Sequence, residues 1–122
     1  IGEWRHPVKR ANRGLPAGSL EPGEDRKTGA RRELREETGY EAGELTYLDG
    51  FEPANGFADA YFHYFVAEDC EQTAEQELDD NETIEVSTAA FEDLLAEVRR
   101  GEMEDGRTAT ALLHYALFEQ KK

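Results

Sequence analysis

The run "RGLPAGSLEPGED", residues 13–25, followed at once by "RKTGARRELREETG", residues 26–39, constrains this chain more than any other stretch. Gly14, Pro16, Gly18, Pro22 and Gly23 crowd the first part, so it reads as consecutive turns. A helix is predicted to follow, from about Asp25 to Glu37. Asp25 or Glu24 suits its positive N-terminal end. Gly39 suits the left-handed position just past its C-terminus. Ala30 and Leu34, four apart, supply a buried stripe. The same helix carries Glu33, Glu36 and Glu37 at i, i+3 and i+4, which puts three carboxylates on one face. Like charges at that spacing destabilise a helix. Two readings follow. The acids form a solvated face paired with Arg31, Arg32 and Arg35, or they surround a cation; grouped carboxylate oxygens are hard ligands of the kind Mg²⁺ or Mn²⁺ takes.

The rest of the chain supplies the scaffold. "IGEWRHPV" reads as the tail of a strand running into a turn at Pro7. "ELTYLDGF", "AYFHYFVAE" and "ETIEVST" are strand candidates, the last with Ile84 and Val86 alternating onto one face. "EDCEQTAEQELDDNE" is acidic, lacks an apolar period and reads as a loop. "STAAFEDLLAEVRRG" is predicted as a helix capped by Ser87 or Thr88, striped by Phe91, Leu94, Leu95 and Val98, and stopped by Gly101. "RTATALLHYALFEQKK" gives a final helix with Leu112, Leu113, Ala116 and Leu117 apolar. Strands interleaved with helices over 122 residues make an α+β domain with one core, residues 1–122.

Charge narrows the function classes. The net charge of −14 excludes the basic footprint of general nucleic-acid binding, and no apolar run is long enough to span a membrane as a helix. No signal-peptide pattern is visible, and the single cysteine, Cys70, rules out an internal disulfide; the expectation is a cytoplasmic setting. No Lys or Arg falls between Arg35 and Arg99, and lysine is confined to Lys9, Lys27, Lys121 and Lys122. An acidic, lysine-poor surface of this kind is what a halophilic, high-salt cytoplasm would favour, because salt screens self-repulsion.

The 23 residues from Gly18 to Tyr40 resemble the Nudix box. Its fixed positions correspond to Gly18, Glu24, Arg32, Glu33, Leu34, Glu36, Glu37, Gly39 and Tyr40, the last aromatic where the pattern has an aliphatic residue. The resemblance implies a Nudix fold, an α/β/α sandwich with a central mixed sheet, in which N-terminal strands preceding Ile1 are expected. It also implies an enzyme, a Nudix hydrolase that uses Mg²⁺, or Mn²⁺, to split a nucleoside diphosphate linked to another moiety. By that likeness Glu33, Glu36 and Glu37 are metal ligands, with Glu36 and Glu37 also counted as catalytic and the Ala17 carbonyl as an added ligand. Glu24 and Arg32 look like the pair that braces loop against helix.

Further residues resemble the ADP-ribose pyrophosphatase branch. "LPAG", Leu15 to Gly18, leads straight into the box, and Pro53 follows it at the expected distance. "EWRHPV" resembles that branch's strand ending in Arg, which makes Arg5 a candidate substrate contact as well as a surface arginine. "EPANGFADAYFHYFVAE" resembles its proline–glycine–phenylalanine loop, with Ala54 and Asn55 as two extra residues. Gly56, Phe57 and Asp59 are then substrate-pocket candidates, with turn and packing roles as the alternative. The branch takes its general base from the acidic loop "ELDDNETIEV"; by position Glu82 is the candidate, and Glu77, Asp80 and Glu85 are rivals. The expected substrate is ADP-ribose or a related nucleoside diphosphate sugar, with a homodimer in the full-length protein. The alternatives are a nucleoside triphosphate or oxidised-nucleotide pyrophosphatase, and a Nudix-like nucleotide-sugar sensor that does not cleave.

Overall fold

A computed structural model describes residues 1–5, 10–79 and 83–119. Short strands and helices come in runs along it, two strands, a helix, five strands and two helices, the segregation that an α+β chain shows. They gather into two compact units, Ile1–Leu15 with Thr83–Lys122, and Pro16–Glu82.

In the unit Pro16–Glu82, helix α1 spans Arg26–Thr38. Asp25 starts it from an extended backbone, its Oδ2 accepting from the Lys27 and Thr28 amides at 3.1 and 3.3 Å. Such a side-chain cap contributes about 1 kcal/mol. Gly39 ends it at φ 78°, its amide donating to the Arg35 carbonyl at 2.8 Å. The expected stripe of Ala30 and Leu34 is only half-buried; the buried positions are Gly29, Glu37 and Thr38. The reason lies in the preceding loop. Leu20 and Glu24 press so close to Gly29 that a Cβ there would meet Leu20 Cδ2 at 2.3 Å and Glu24 Oε1 at 2.9 Å.

Strands β3 (Tyr40–Glu41), β4 (Glu44–Phe51), β5 (Phe62–Glu68) and β6 (Glu71–Gln72) complete this unit. β4 and β5 form an antiparallel pair with a bulge between Tyr47 and Asp49. The polar His63 inside β5 is hydrogen-bonded through Nδ1 to the Tyr47 hydroxyl at 2.9 Å. Arg26, in the first turn of α1, lies 3.8 Å over the Tyr47 ring and ties helix to sheet by a cation–π contact. β3 pairs with β6 inside the stretch expected to be a loop. A two-residue strand has no periodicity to read, so only the pairing reveals it.

In the other unit, β1 (Gly2–Arg5) lies between β2 (Arg10–Arg13) and β7 (Ile84–Glu85), antiparallel to both. The turn expected at Pro7 lies outside the described residues. Ile84 is 7% exposed but Val86 is 38% exposed, so the alternation read in "ETIEVST" does not bury both. Helix α2 spans Phe91–Arg99 and is preceded by Ala90, not capped by Ser87 or Thr88. Glu92 and Asp93 supply the negative charge its first turn favours. Helix α3, Gly106–His114, starts at Asp105 and continues as a π-helical turn, Tyr115–Glu119. Ala111 and Leu112 are buried, whereas Leu113 and Leu117 stay exposed.

Asp105, Thr108 and Leu15 lock this unit's ends together. Thr108, 4% exposed, accepts from the Leu15 amide at 3.1 Å and donates to Asp105 Oδ2 at 3.0 Å. Asp105 also accepts from Arg107 Nε at 3.0 Å. Burial pushes the Asp105 carboxyl up, but the Arg107 guanidinium and Thr108 hydroxyl outweigh it and hold it below its ordinary value. Gly14 fits here because a Cβ would meet Asp105 Oδ2 at 2.7 Å and Thr108 Oγ1 at 2.8 Å.

Candidate active site

One side chain makes most of the hydrogen bonds that hold the loop before α1 against the helix. Arg32 Nε donates to Glu24 Oε2 at 2.8 Å, and Nη2 donates to Glu24 Oε1 at 2.9 Å and to the Ser19 carbonyl at 3.0 Å. The fork of the guanidinium matches the carboxylate, a bidentate geometry open to arginine and closed to lysine. Glu24 reaches back to accept from the Glu21 amide at 3.1 Å. These contacts, the Arg32 hydrogen bond first, lower the Glu24 pKa to about 2. They raise the Arg32 pKa above its already high ordinary value. This is the loop-to-helix brace that the box resemblance implied.

Arg32 also reaches the acidic face. Its Nη1 donates to Glu33 Oε1 and to Glu36 Oε2, both at 2.9 Å. The repulsion implied by three carboxylates at this spacing is therefore relieved in place by a guanidinium. Glu37 lies differently. At 2% exposure it is more buried than any residue of the apolar core, and its Oε2 accepts from the Ala17 amide at 3.3 Å. Gly18 leaves room for Glu33, since a Cβ there would lie 2.0 Å from the Glu33 carboxyl carbon. Two glycines thus permit the loop to lie on the helix: Gly18 over Glu33, and Gly29 under Leu20.

The donor chemistry of Glu33, Glu36 and Glu37 fits a hard divalent cation, with carboxylate oxygens brought to one stretch of helix beside the Ala17–Gly18 backbone. Their side chains do not converge into a finished ligand set. Among the described residues no group of three or more His, Cys, Asp and Glu is gathered closely enough to hold a metal ion. The physical reason is visible: Arg32 spans Glu33 and Glu36, while Glu37 turns to the Ala17 amide.

The other sequence candidates are distributed as follows. Glu82, with its rival Asp80, lies outside the described residues. Glu77 accepts from Arg35 Nη1 at 2.8 Å, and Glu85 sits in β7. Arg5 ends β1, where Nη2 pairs with Glu3 Oε1 at 2.9 Å and the buried Nε has no hydrogen-bond partner among the described residues. Gly56, Phe57 and Asp59 are all exposed, Phe57 to 90%. A turn over residues 53–57 holds Gly56 and Phe57, with the Phe57 and Ala58 amides donating to the Ala54 carbonyl at 3.1 and 2.9 Å. An open depression of about 250 Å³ is lined by Arg13, Ala89, Asp93, Ala96, Glu97 and Arg100, none of them a sequence candidate. Sequence reading missed Gln76, whose Nε2 donates to the Glu37 carbonyl at 2.7 Å. No local pattern marks it, because its partner is 39 residues away.

The NUDIX domain matches residues 4–112. The ADP-ribose pyrophosphatase of Bacillus subtilis (strain 168) is 41% identical over 98% of this chain and 65% of its own length. The methanol dehydrogenase activator of Bacillus methanolicus is 32% identical over 100% of the chain and 66% of its own length. GDP-mannose pyrophosphatase of Klebsiella pneumoniae is 39% identical over 70% of the chain and 43% of its own length. The chain thus spans just under two thirds of the first two relatives. A solved structure described as an ADP compounds hydrolase superposes with a TM-score of 0.77 at 25% identity, over 95% of this chain and 62% of that one.

Proposed function

The chain belongs to the Nudix family and has its fold, and from that premise we propose that it hydrolyses the diphosphate bond of ADP-ribose, or of a closely related nucleoside diphosphate sugar, in the presence of Mg²⁺. The observation that carries the substrate is the 41% identity, over 98% of the chain, to an ADP-ribose pyrophosphatase. Residues 1–122 are taken as one Nudix domain, because the family match runs unbroken from 4 to 112 through both compact units.

In this reading Glu33, Glu36, Glu37 and the Ala17 carbonyl would hold the divalent ion, which would supply Lewis acidity and offset charge on the diphosphate. Arg32 shares Glu33 and Glu36 until then, and its bidentate hold on Glu24 keeps the loop seated whether or not those two acids turn away. Burial of Glu37 fixes one carboxylate in advance. Glu82 is assigned the general base, taking a proton from the water that attacks one phosphorus. The phosphorus–bridging-oxygen bond breaks, giving a nucleoside monophosphate and a sugar phosphate. Arg5, Gly56, Phe57 and Asp59 are assigned to substrate contact. Solubility in the cytoplasm and assembly as a homodimer belong to the same proposal for the whole protein; no helix of the described residues is long and apolar enough to cross a membrane.

The test is a panel on the full-length protein with Mg²⁺: ADP-ribose, ADP-glucose, GDP-mannose, UDP-glucose, NADH, diadenosine polyphosphates and 8-oxo-dGTP. ADP-ribose turned over with the highest kcat/KM supports the proposal. Preference for 8-oxo-dGTP would make the protein a nucleotide sanitiser. Tight binding of a nucleotide sugar without cleavage would make it a sensor.

A further inference from the structure

The last carbonyls of an α-helix have no partner within the helix. In α1 two of them belong to Glu36 and Glu37, and a distant segment supplies their donors. The Glu77 amide donates to the Glu36 carbonyl at 2.7 Å, and Gln76 Nε2 donates to the Glu37 carbonyl at 2.7 Å. The Thr73 and Ala74 amides both donate to the Gly39 carbonyl at 3.1 Å. The approach is close enough that a Cβ on Gly39 would lie 2.2 Å from the Ala74 carbonyl oxygen. Residues 73–77 therefore grip the end of the helix, and the grip falls on the main chain of the two acids with the most to do.

We propose that Gln76 is a positioning residue for divalent-metal binding: its amide fixes the peptide of Glu37, and with the Glu77 amide it sets where the Glu36 and Glu37 carboxylates stand. The inference rests on the assignment of those acids as metal ligands. It is specific to Gln76 because the other donors of the clamp are backbone amides, which any residue would supply. Glu37 is 2% exposed, and the exposed Gln76 reaches its carbonyl from the surface side. Gln76 acts on Glu37 without touching the metal or the substrate.

Mn²⁺ binding measured calorimetrically on the full-length protein tests this without reference to activity. Gln76→Met removes the donor and keeps the volume; Gln76→Lys keeps a donor of similar reach. The expected result is Mn²⁺ affinity weakened about tenfold or more in Gln76→Met, as for other outer partners of metal ligands, and largely restored in Gln76→Lys. Hydrogen exchange at the Glu77 amide of the unaltered protein, with and without Mn²⁺, gives a second readout should Gln76→Met not fold; protection rising with Mn²⁺ is expected. Unchanged affinity in a folded Gln76→Met protein, or unchanged Glu77 exchange, overturns the proposal while leaving the metal assignment intact. Failure of the unaltered protein to take up Mn²⁺ overturns the metal assignment itself, and the proposal with it.

Discussion

Arg32 donates to Glu24, Glu33, Glu36 and the Ser19 carbonyl, so its removal affects the loop and the acidic face together. Arg32→Lys keeps the charge but loses the fork, and activity is expected to fall about tenfold or more, as when the support of a metal site is removed. Activity within twofold of the unaltered enzyme would show that the brace is dispensable. Glu24 makes a separate prediction about acid. Its folded pKa, about 2, lies below the ordinary 4.5. A depressed carboxylate contributes stability that is fully present above 4.5 and is lost as pH falls toward 2. Urea unfolding at several pH values across that window is expected to show a steeper loss for the unaltered protein than for Glu24→Gln. Equal slopes would remove Glu24 from the acid response.

Helix α1 shows what a sequence makes legible and what it hides. Asp25, Gly39 and the strands around Tyr47 and Phe65 were readable because caps and aromatic alternation are local signals. The brace from Arg32 to Glu24 was readable because the box spacing fixes both residues. The partition of burial was not: Gly29 and Glu37 are buried because of Leu20, Glu24 and the 73–77 segment, none of which the helix's own periodicity encodes. Nor was β6, too short to have a period. Gly39→Ala tests the close approach at the helix end. A left-handed backbone costs a side chain about 1–2 kcal/mol, and the overlap with Ala74 adds to it. Chemical denaturation should register more than that backbone cost; a loss no larger than it would mean that the 73–77 segment moves aside. For helix α3, Thr108→Val leaves the Leu15 amide without its acceptor and should cost about 1–3 kcal/mol by the same measurement.

A net charge of −14 on 122 residues opposes compaction by self-repulsion, and several of the few basic residues are engaged in ion pairs, among them Arg35–Glu77 and Arg100–Glu102. Salt screens that repulsion, so the melting temperature is expected to rise from low to multimolar KCl. A melting temperature independent of KCl would reject the high-salt origin suggested by the composition. The function proposed to join the loop, the helix and the acidic face is hydrolysis of ADP-ribose dependent on the helix acids. The most direct measurement is release of AMP from ADP-ribose by the full-length protein, with Mg²⁺ and after its removal by chelation, set beside Glu37→Gln. Turnover that requires Mg²⁺ and is nearly abolished in Glu37→Gln is the predicted result; turnover unchanged by both chelation and Glu37→Gln would contradict it.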